Sequence, residues 1–452
     1  MNIKSDSRRV KPGDIFVALR GIDGDGHKFI SAAIKNGASK VIVEEDGDYG
    51  VETLKVKSTR AYLNAYLESN YGSIIDDMQI IGITGTNGKT TTAYLIYEAL
   101  NMLNIKCAYI GTIGFYLDKK IMPLENTCPD TALIYEMLLN AHEKGYKYVV
   151  IEASSQGLSY GRLDTIKFSY ALFTNLTQDH LDYHKTMENY AQAKQKLFEN
   201  LKPNGLRIVN NDSDYVDYYK TKDAITYGFS PSDYQVTDYS LDERSTSFVV
   251  NGVDNIKTKL LGKYNIYNVL LTYVFLDRIG VLKKDIINII SKLLPPPGRL
   301  DLIHYKDNNI VIDYAHTPDA MENIIATMKE VTKGNIYIVF GCTGSRDRSK
   351  RPIMMDIALS NSKFSIITSD DLHDEEFVNI VADMEEGVKY KNYAVFRDRR
   401  KAIEKGIEML EHNDSLLILG KGHEEFIIDK NLKIPFNDHN VVESIISEKV
   451  EI

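Results

Sequence analysis

The run Gln79-Ile80-Ile81-Gly82-Ile83-Thr84-Gly85-Thr86-Asn87-Gly88-Lys89-Thr90-Thr91-Thr92 constrains this chain more than any other segment. Its first half is apolar and β-rich, as a buried parallel strand is. The glycines that follow let the backbone turn tightly and present its N–H groups. A helix predicted from Lys89 to Asn104 then points the positive end of its dipole into the turn. Strand, glycine loop and helix in that order make a phosphate cradle. Lys89 is placed to reach the terminal phosphates of a nucleotide, and the Thr90 hydroxyl to ligate Mg²⁺. The spacing departs from GxxxxGK[ST] in one respect: Ile83 stands at the first glycine. The same glycines would also serve a purely structural turn, but the flanking strand and helix favour a nucleotide.

The rest of the chain repeats this alternation. A first unit, predicted over residues 1–77, has short apolar runs at Ile15–Leu19 and Val41–Glu44 with a helix at Phe29–Lys35 between them. A central unit over 78–298 adds predicted strands at Tyr146–Glu152, Tyr170–Asn175 and Arg207–Asn211. It ends at the stiff Pro295-Pro296-Pro297-Gly298 segment, a natural hinge. A unit over 299–452 has predicted strands at Ile310–Ile312, Ile336–Phe340, Ser365–Thr368 and Ser415–Leu419. Strands alternating with helices imply parallel βαβ units, so the predicted class is α/β with a second doubly wound unit at the C-terminal end.

With 452 residues, 43% of them apolar, the chain can bury several cores. A net charge of −9 argues against a nucleic-acid or membrane-surface partner, so substrate anions must be held by local groups. Three scattered cysteines fit reduced thiols better than disulfides. No run approaches the roughly 20 apolar residues of a membrane span, and the first residues lack the apolar core of a signal peptide. These features place the protein in the cytoplasm.

Candidate chemistry gathers where predicted strands end, the edge at which open α/β sheets bind ligands. Glu152 closes an apolar strand and is a candidate Mg²⁺ ligand. In Asp179-His180-Leu181-Asp182-Tyr183-His184, His180 is open to three roles: metal ligand, proton acceptor or structural loop residue. Asp179, Asp182 and His184 are equally suited to turns and caps.

Taken in order, these segments resemble the Mur ligase family, and within it the UDP-N-acetylmuramoyl-tripeptide synthetases. The resemblance covers nearly the whole chain. It is carried by Asp6-Ser7-Arg8 with Pro12-Gly13-Asp14, the Gly85–Thr91 loop, Glu125–Asp130, Glu152–Ser155 with Arg162, and Asp179–His184 with Lys194. Further along come Tyr264–Asn268, Pro297-Gly298-Arg299, Asp313–Pro318, Arg346-Asp347 with Lys350-Arg351-Pro352, and Gly420–Glu424.

The resemblance implies three domains: one for a UDP-sugar, a central ATPase with a P-loop, and a Rossmann-like C-terminal domain that receives an amino acid. It implies ATP and Mg²⁺ as cofactors. The substrates would be UDP-N-acetylmuramoyl-L-Ala-D-Glu and an amino acid, joined through an acyl phosphate by a monomer, in peptidoglycan precursor synthesis. Residue by residue, Gly85, Thr86, Asn87, Gly88, Lys89, Thr90, Thr91, Asn268, Arg299 and Asp313 fall at nucleotide positions, Asp313 as a ribose acceptor. Thr90, Glu152, His180 and a carbamylated Lys194 fall at the metal, with Lys89, His180 and Lys194 catalytic. Ser7, Asn126, Thr127, Cys128, Ser154, Tyr160 and Arg162 match positions that hold the muramoyl dipeptide. Arg346, Asp370, Asp371, His373, Gly420 and Glu424 match the amino-acid pocket.

Four departures stand out. Cys128 replaces a threonine, and Ser345 an aspartate. The lead-in to Asp6 is short, implying a missing strand or a misassigned start. The Asp-Asn-Pro-Arg loop of enzymes that add meso-diaminopimelate reads Asp370-Asp371-Leu372-His373 here, followed by three acids. A neutral imidazole cannot replace the bidentate, permanently charged arginine. Charge alone therefore leans toward L-lysine or another simple diamino acid, with meso-diaminopimelate the alternative. A folylpolyglutamate- or cyanophycin-type ligase, or a nucleotide-binding protein without ligase activity, are the competing readings.

Overall fold

The computed structural model describes residues 1–21, 24–242, 244–430 and 432–450. Its core is an 11-stranded sheet. The strand Gln79–Thr84 lies at its heart, hydrogen-bonded in parallel to Tyr148–Glu152 on one side and Phe168–Phe173 on the other. Beyond Tyr148–Glu152 lie Cys107–Gly111 and a short antiparallel pair, Gly114–Tyr116 and Lys120–Met122. Beyond Phe168–Phe173 lie Leu201–Asn210 and Ile225–Gly228, then an antiparallel extension through Tyr234–Asp242, Ser245–Val250 and Asp254–Thr258. The sequence reading missed that extension: Tyr234–Asp242 and Asp254–Thr258 are partly exposed, and the mostly buried Ser245–Val250 carries an apolar run of just three residues, Phe248-Val249-Val250.

The central strands are apolar along their whole length because both faces are covered. One face packs on the helices Lys89–Met102 and Lys263–Arg278. The second of these helices is apolar nearly all round, as a helix in the interior must be. The opposite face merges with the first unit: Ile3, Val17, Ile42, Leu63 and Leu67 belong to the same cluster as Ile80, Ala108, Val149 and Ile151. The first unit is a four-stranded parallel sheet, Ile3–Lys4, Ile15–Val17, Lys40–Val43 and Glu52–Lys55. Its strands alternate, Val17 and Ile42 toward the central unit, Phe16, Val41 and Val43 toward the helix Ile30–Lys35.

The C-terminal sheet has six strands in the order Asp301–Tyr305, Asn308–Asp313, Ser415–Leu419, Ile336–Phe340, Phe364–Thr368 and Tyr393–Phe396. Only the first pair is antiparallel. Clusters on both faces, Val311, Ile338 and Phe340 on one and Ile310, Ile312 and Val339 on the other, give the doubly wound arrangement expected. A hairpin, Phe426–Asp429 with Leu432–Pro435, projects beside it. Among the described residues no helix is long and apolar enough to cross a membrane.

Candidate active site

The glycine loop is braced by the end of the neighbouring strand. The Thr86 N–H donates to the Asn175 carbonyl at 2.8 Å and the Asn87 N–H to the Asn175 side chain at 2.9 Å. The Thr174 hydroxyl returns a bond to the Asn87 carbonyl at 2.6 Å. A side chain at Gly85 (φ 151°) would collide with Thr174, and one at Gly88 (φ 83°) with Asn268. Only glycine allows that approach. The Lys89 ammonium crosses the loop to the carbonyls of Gly85 (2.9 Å) and Thr86 (2.7 Å). Burial and Arg299 push its pKa down, opposed by Glu152 and Asp179.

Glu152 is completely buried at the end of its strand. Its Oε2 accepts from the Thr90 hydroxyl at 2.8 Å and the Thr112 hydroxyl at 3.0 Å. Its Oε1 accepts from the Thr112 N–H at 2.9 Å and from the Tyr109 hydroxyl. All four donors are neutral. A buried carboxylate surrounded by neutral donors, next to a loop threonine, suits a hard divalent cation with oxygen ligands. Lys194 lies nearby, 1% exposed, its ammonium 2.7 Å from the Gly85 carbonyl and 4.4 Å from the centre of the Tyr190 ring. Burial first, and Lys89 second, push its pKa well below the ordinary lysine value.

His180 sits at the rim, its side chain 43% exposed and paired with Asp179 at 3.4 Å. Burial would raise the Asp179 pKa, but His180, His316 and Lys350 together hold it low. His184 is buried and bonded to the Ser155 hydroxyl at 2.9 Å, a structural role.

A cavity of about 310 Å³ opens beside the loop, lined by Asn87, Gly88 and Thr91 together with Asn268, Arg299 and Asp313. The structure thus brings together, around one cavity, residues of the central and C-terminal units that the sequence reading expected at the nucleotide. The Arg299 guanidinium lies over the Tyr314 ring at 4.6 Å, and its Nε is buried without a partner among the described residues. The two Asp313 oxygens accept the N–H groups of Leu300 (2.7 Å) and Ala315 (2.8 Å), fastening the segment that follows Gly298. Asp319, not singled out from the sequence, lines the same cavity and accepts from the Asn87 side chain.

On the other side of Glu152, the Thr127 and Thr112 hydroxyls meet at 3.0 Å. Arg162 donates to the Cys128 carbonyl at 2.7 Å and lies 5.3 Å from the Tyr160 ring. Cys128 is 1% exposed, its thiol turned against Gly157 and pushed by burial up to about 12. It is a small buried group there, not a polar contact. Ser154 caps the helix Ser155–Ser159 by accepting from the Gly157 N–H at 3.1 Å. Asn126 is exposed, and Ser7 is buried in the first unit with its carbonyl taken by Asn36.

In the C-terminal unit Asp370, Asp371 and Glu424 place carboxylate oxygens within 4.8 Å of one another. Lys421 lies among them, 2.8 Å from Asp371 and 2.6 Å from Glu424. Gly420 packs on Asp370, where a side chain would meet the carboxylate. Arg346 is exposed on the adjacent loop, and His373 sits in the left-handed region at φ 50°. Two of the three acids after His373 are engaged by basic side chains, which lowers the negative charge the sequence suggested for this pocket. Glu375 is captured by the fully buried Arg351 at 2.7 Å, and Glu376 pairs with Lys430 at 3.3 Å. The following helix begins only at Phe377.

Thr112, Tyr109 and Asp319 were missed, and Lys421 was noticed only as part of a motif. Thr112 had a signal: it directly follows a strand at the ligand-binding edge. The fold and this site define an ATP-dependent acid–amino-acid ligase, with a phosphate loop, a buried carboxylate beside it and a charged pocket facing them from a second α/β unit.

Comparison with known proteins agrees. Residues 1–73 match the Mur ligase family catalytic domain, 83–276 the Mur ligase middle domain, and 298–422 the Mur ligase glutamate ligase domain. The chain belongs to the Mur ligase family. It is 39% identical to the UDP-N-acetylmuramoyl-L-alanyl-D-glutamate–2,6-diaminopimelate ligase of Clostridium perfringens, over 99% of this chain and 95% of that protein. It is 38% identical to the ligase of the same name from Fusobacterium nucleatum, over 97% and 92%. A solved structure of a ligase of that name superposes with a TM-score of 0.66 at 31% identity, covering 99% of this chain and 95% of that one. The Thermotoga maritima MurF ligase in complex with ADP shares the fold, with a TM-score of 0.71 at 20% identity, over 100% and 98%.

Proposed function

We propose that this ligase adds a diamino acid to the D-Glu carboxylate of UDP-N-acetylmuramoyl-L-Ala-D-Glu, in the cytoplasm and as a monomer. Residues 1–77 would hold the UDP-sugar, 78–298 the ATP, and 299–452 the incoming amino acid. The observation that carries the reading is the position of Glu152. It joins the loop hydroxyl of Thr90 to Thr112, whose own hydroxyl meets Thr127 on the dipeptide side. Nucleotide and acid acceptor would therefore converge on one carboxylate.

The γ-phosphoryl group of ATP would pass to the substrate carboxylate, giving ADP and an acyl phosphate. The amine of the second substrate would then attack the acyl carbon, losing a proton as phosphate departs. Thr90, Glu152, His180 and carbamylated Lys194 would hold Mg²⁺, which supplies charge neutralisation at the phosphates. Lys89 adds a positive charge at the loop, and Arg299 and Asn268 hold the nucleotide from the side. Asp313 would accept from the ribose with the lone pairs its backbone bonds leave free.

For the incoming amino acid, the named relatives favour meso-diaminopimelate over the lysine that charge alone suggested. The capture of Glu375 and Glu376 by basic partners supports the same choice, because it removes much of the negative field invoked for a distal cation. One observation keeps the lysine reading in play: Asp370, Asp371 and Glu424 face a single lysine, with His373 where an arginine would bind a distal carboxylate.

The test is direct. Purified protein is incubated with ATP, Mg²⁺ and UDP-N-acetylmuramoyl-L-Ala-D-Glu against a panel of amino acids, following phosphate release and product mass. Diaminopimelate should be the best acceptor. A preference for lysine would reverse the specificity, and no product with any amino acid from folded protein would overturn the function.

A further inference from the structure

We propose that Tyr109 and Thr112 are positioning residues that hold the Glu152 carboxylate in the single orientation in which Oε2 faces Thr90. The inference rests on the metal-dependent reading above and deepens it.

Three groups close around Glu152 Oε1. Tyr109 is fully buried on the strand beside that of Glu152, and its hydroxyl donates to Oε1. The direction of that bond is set from behind, because the Ile113 N–H reaches the Tyr109 oxygen at 3.5 Å and leaves the hydroxyl proton for the carboxylate. The Thr112 N–H donates to the same Oε1 at 2.9 Å. The third wall is Gly111. A Cβ there would lie 2.2 Å from Oε1 and 2.6 Å from the Tyr109 oxygen, so the carboxylate occupies the space a side chain would need.

With Oε1 held this way, rotation of the carboxylate is blocked and Oε2 is left to Thr90 and the Thr112 hydroxyl, at 2.8 and 3.0 Å. Thr112 also reaches outward. Its hydroxyl meets that of Thr127 at 3.0 Å. A buried carboxylate free to rotate would bind a cation less tightly, and outer hydrogen bonds of this kind commonly change metal affinity about 10–100-fold.

The experiment measures Mn²⁺ binding by electron paramagnetic resonance in the presence of ADP, without turnover, alongside the Mg²⁺ dependence of kcat. Tyr109→Phe and Thr112→Val keep the side-chain shape and remove the hydroxyls. Each should weaken Mn²⁺ about tenfold and raise the Mg²⁺ needed for half-maximal rate, with kcat recovering at high Mg²⁺ and KM for the amino acid unchanged. Gly111→Ala should weaken Mn²⁺ further. Unchanged Mn²⁺ affinity in folded Tyr109→Phe and Thr112→Val proteins, whatever their thermal stability, would overturn the inference. Failure of the wild-type protein to bind Mn²⁺ would instead overturn the metal-dependent reading itself.

Discussion

Lys89 and Lys194 donate to one acceptor, the Gly85 carbonyl, at 2.9 and 2.7 Å. They are 105 residues apart in the chain, and Lys194 is almost wholly buried. Two ammonium groups this close in a low-dielectric site repel strongly. Burial first, and Lys89 second, lower the Lys194 pKa well below the ordinary lysine value, which favours loss of its proton. A neutral buried amine is the form that adds carbon dioxide, and the resulting carbamate would turn a repulsive pair into an attractive one.

Lys194→Ala should therefore lower kcat on the order of 100-fold, since it removes charge stabilisation at the reacting groups. Acetate or formate should restore part of the rate by standing in for the carbamate. Protein incubated with ¹³C-bicarbonate should show a carbamate carbon resonance that Lys194→Ala lacks. Full activity in the mutant would remove Lys194 from the mechanism.

Glu424 sets a pH dependence. Burial, with Asp370 and Asp371 adding to it, raises its pKa to about 7 despite Lys421 beside it. As pH falls from 8 to 6 it takes up a proton and the pocket loses a negative charge, so KM for the amino acid should rise about tenfold. Glu424→Gln should flatten that profile. For stability the sign is opposite to that of a salt-bridged carboxylate. The folded state binds the extra proton between the ordinary glutamate value and pH 7, so this residue's contribution is most favourable at low pH and declines as pH rises through that window. Denaturant titrations of wild type and Glu424→Gln at pH 5 and pH 8 would check it.

His373→Arg tests the choice of amino acid. An arginine there would add a charge-assisted, bidentate donor for a distal carboxylate. The ratio of kcat/KM for diaminopimelate over lysine should rise about tenfold or more, with KM for ATP unchanged. An unchanged ratio would mean that His373 does not face the distal end of the substrate.

Arg399 and Asp438 form an ion pair with no exposure on either side chain, and Arg399 also holds the Ser369 and Leu419 carbonyls. Arg399→Leu strands a buried carboxylate and should cost about 3–5 kcal/mol in chemical denaturation. The double variant Arg399→Leu/Asp438→Leu should lose less than the single one, because no charge is left unpaired. If the single variant loses under 1 kcal/mol, the pair is not a structural anchor.

Much of the molecule was legible in advance because its signals are local. The strand at Gln79, the loop and the Lys89 helix follow from hydrophobic run, glycine placement and helix start. The Asn268, Arg299 and Asp313 positions rested on family resemblance, and the structure gathers them around one cavity. The strands from Tyr234 to Thr258 went unseen because two of them are partly exposed and the buried one, Ser245–Val250, has an apolar run of just three residues.

By itself, then, the amino-acid order determined the α/β class, the phosphate loop and the residues that close the strands, since each depends on neighbours within a turn or a strand. Only the tertiary structure decided how charges are shared. It gives Glu375 to Arg351, Lys421 to Asp371 and Glu424, and one carbonyl to both Lys89 and Lys194. It also folds Tyr109 and Thr112 around Glu152, some 40 residues away. Most of these pairings join residues far apart in the chain, and their strength depends on burial and on the other charges nearby, quantities that spacing does not carry.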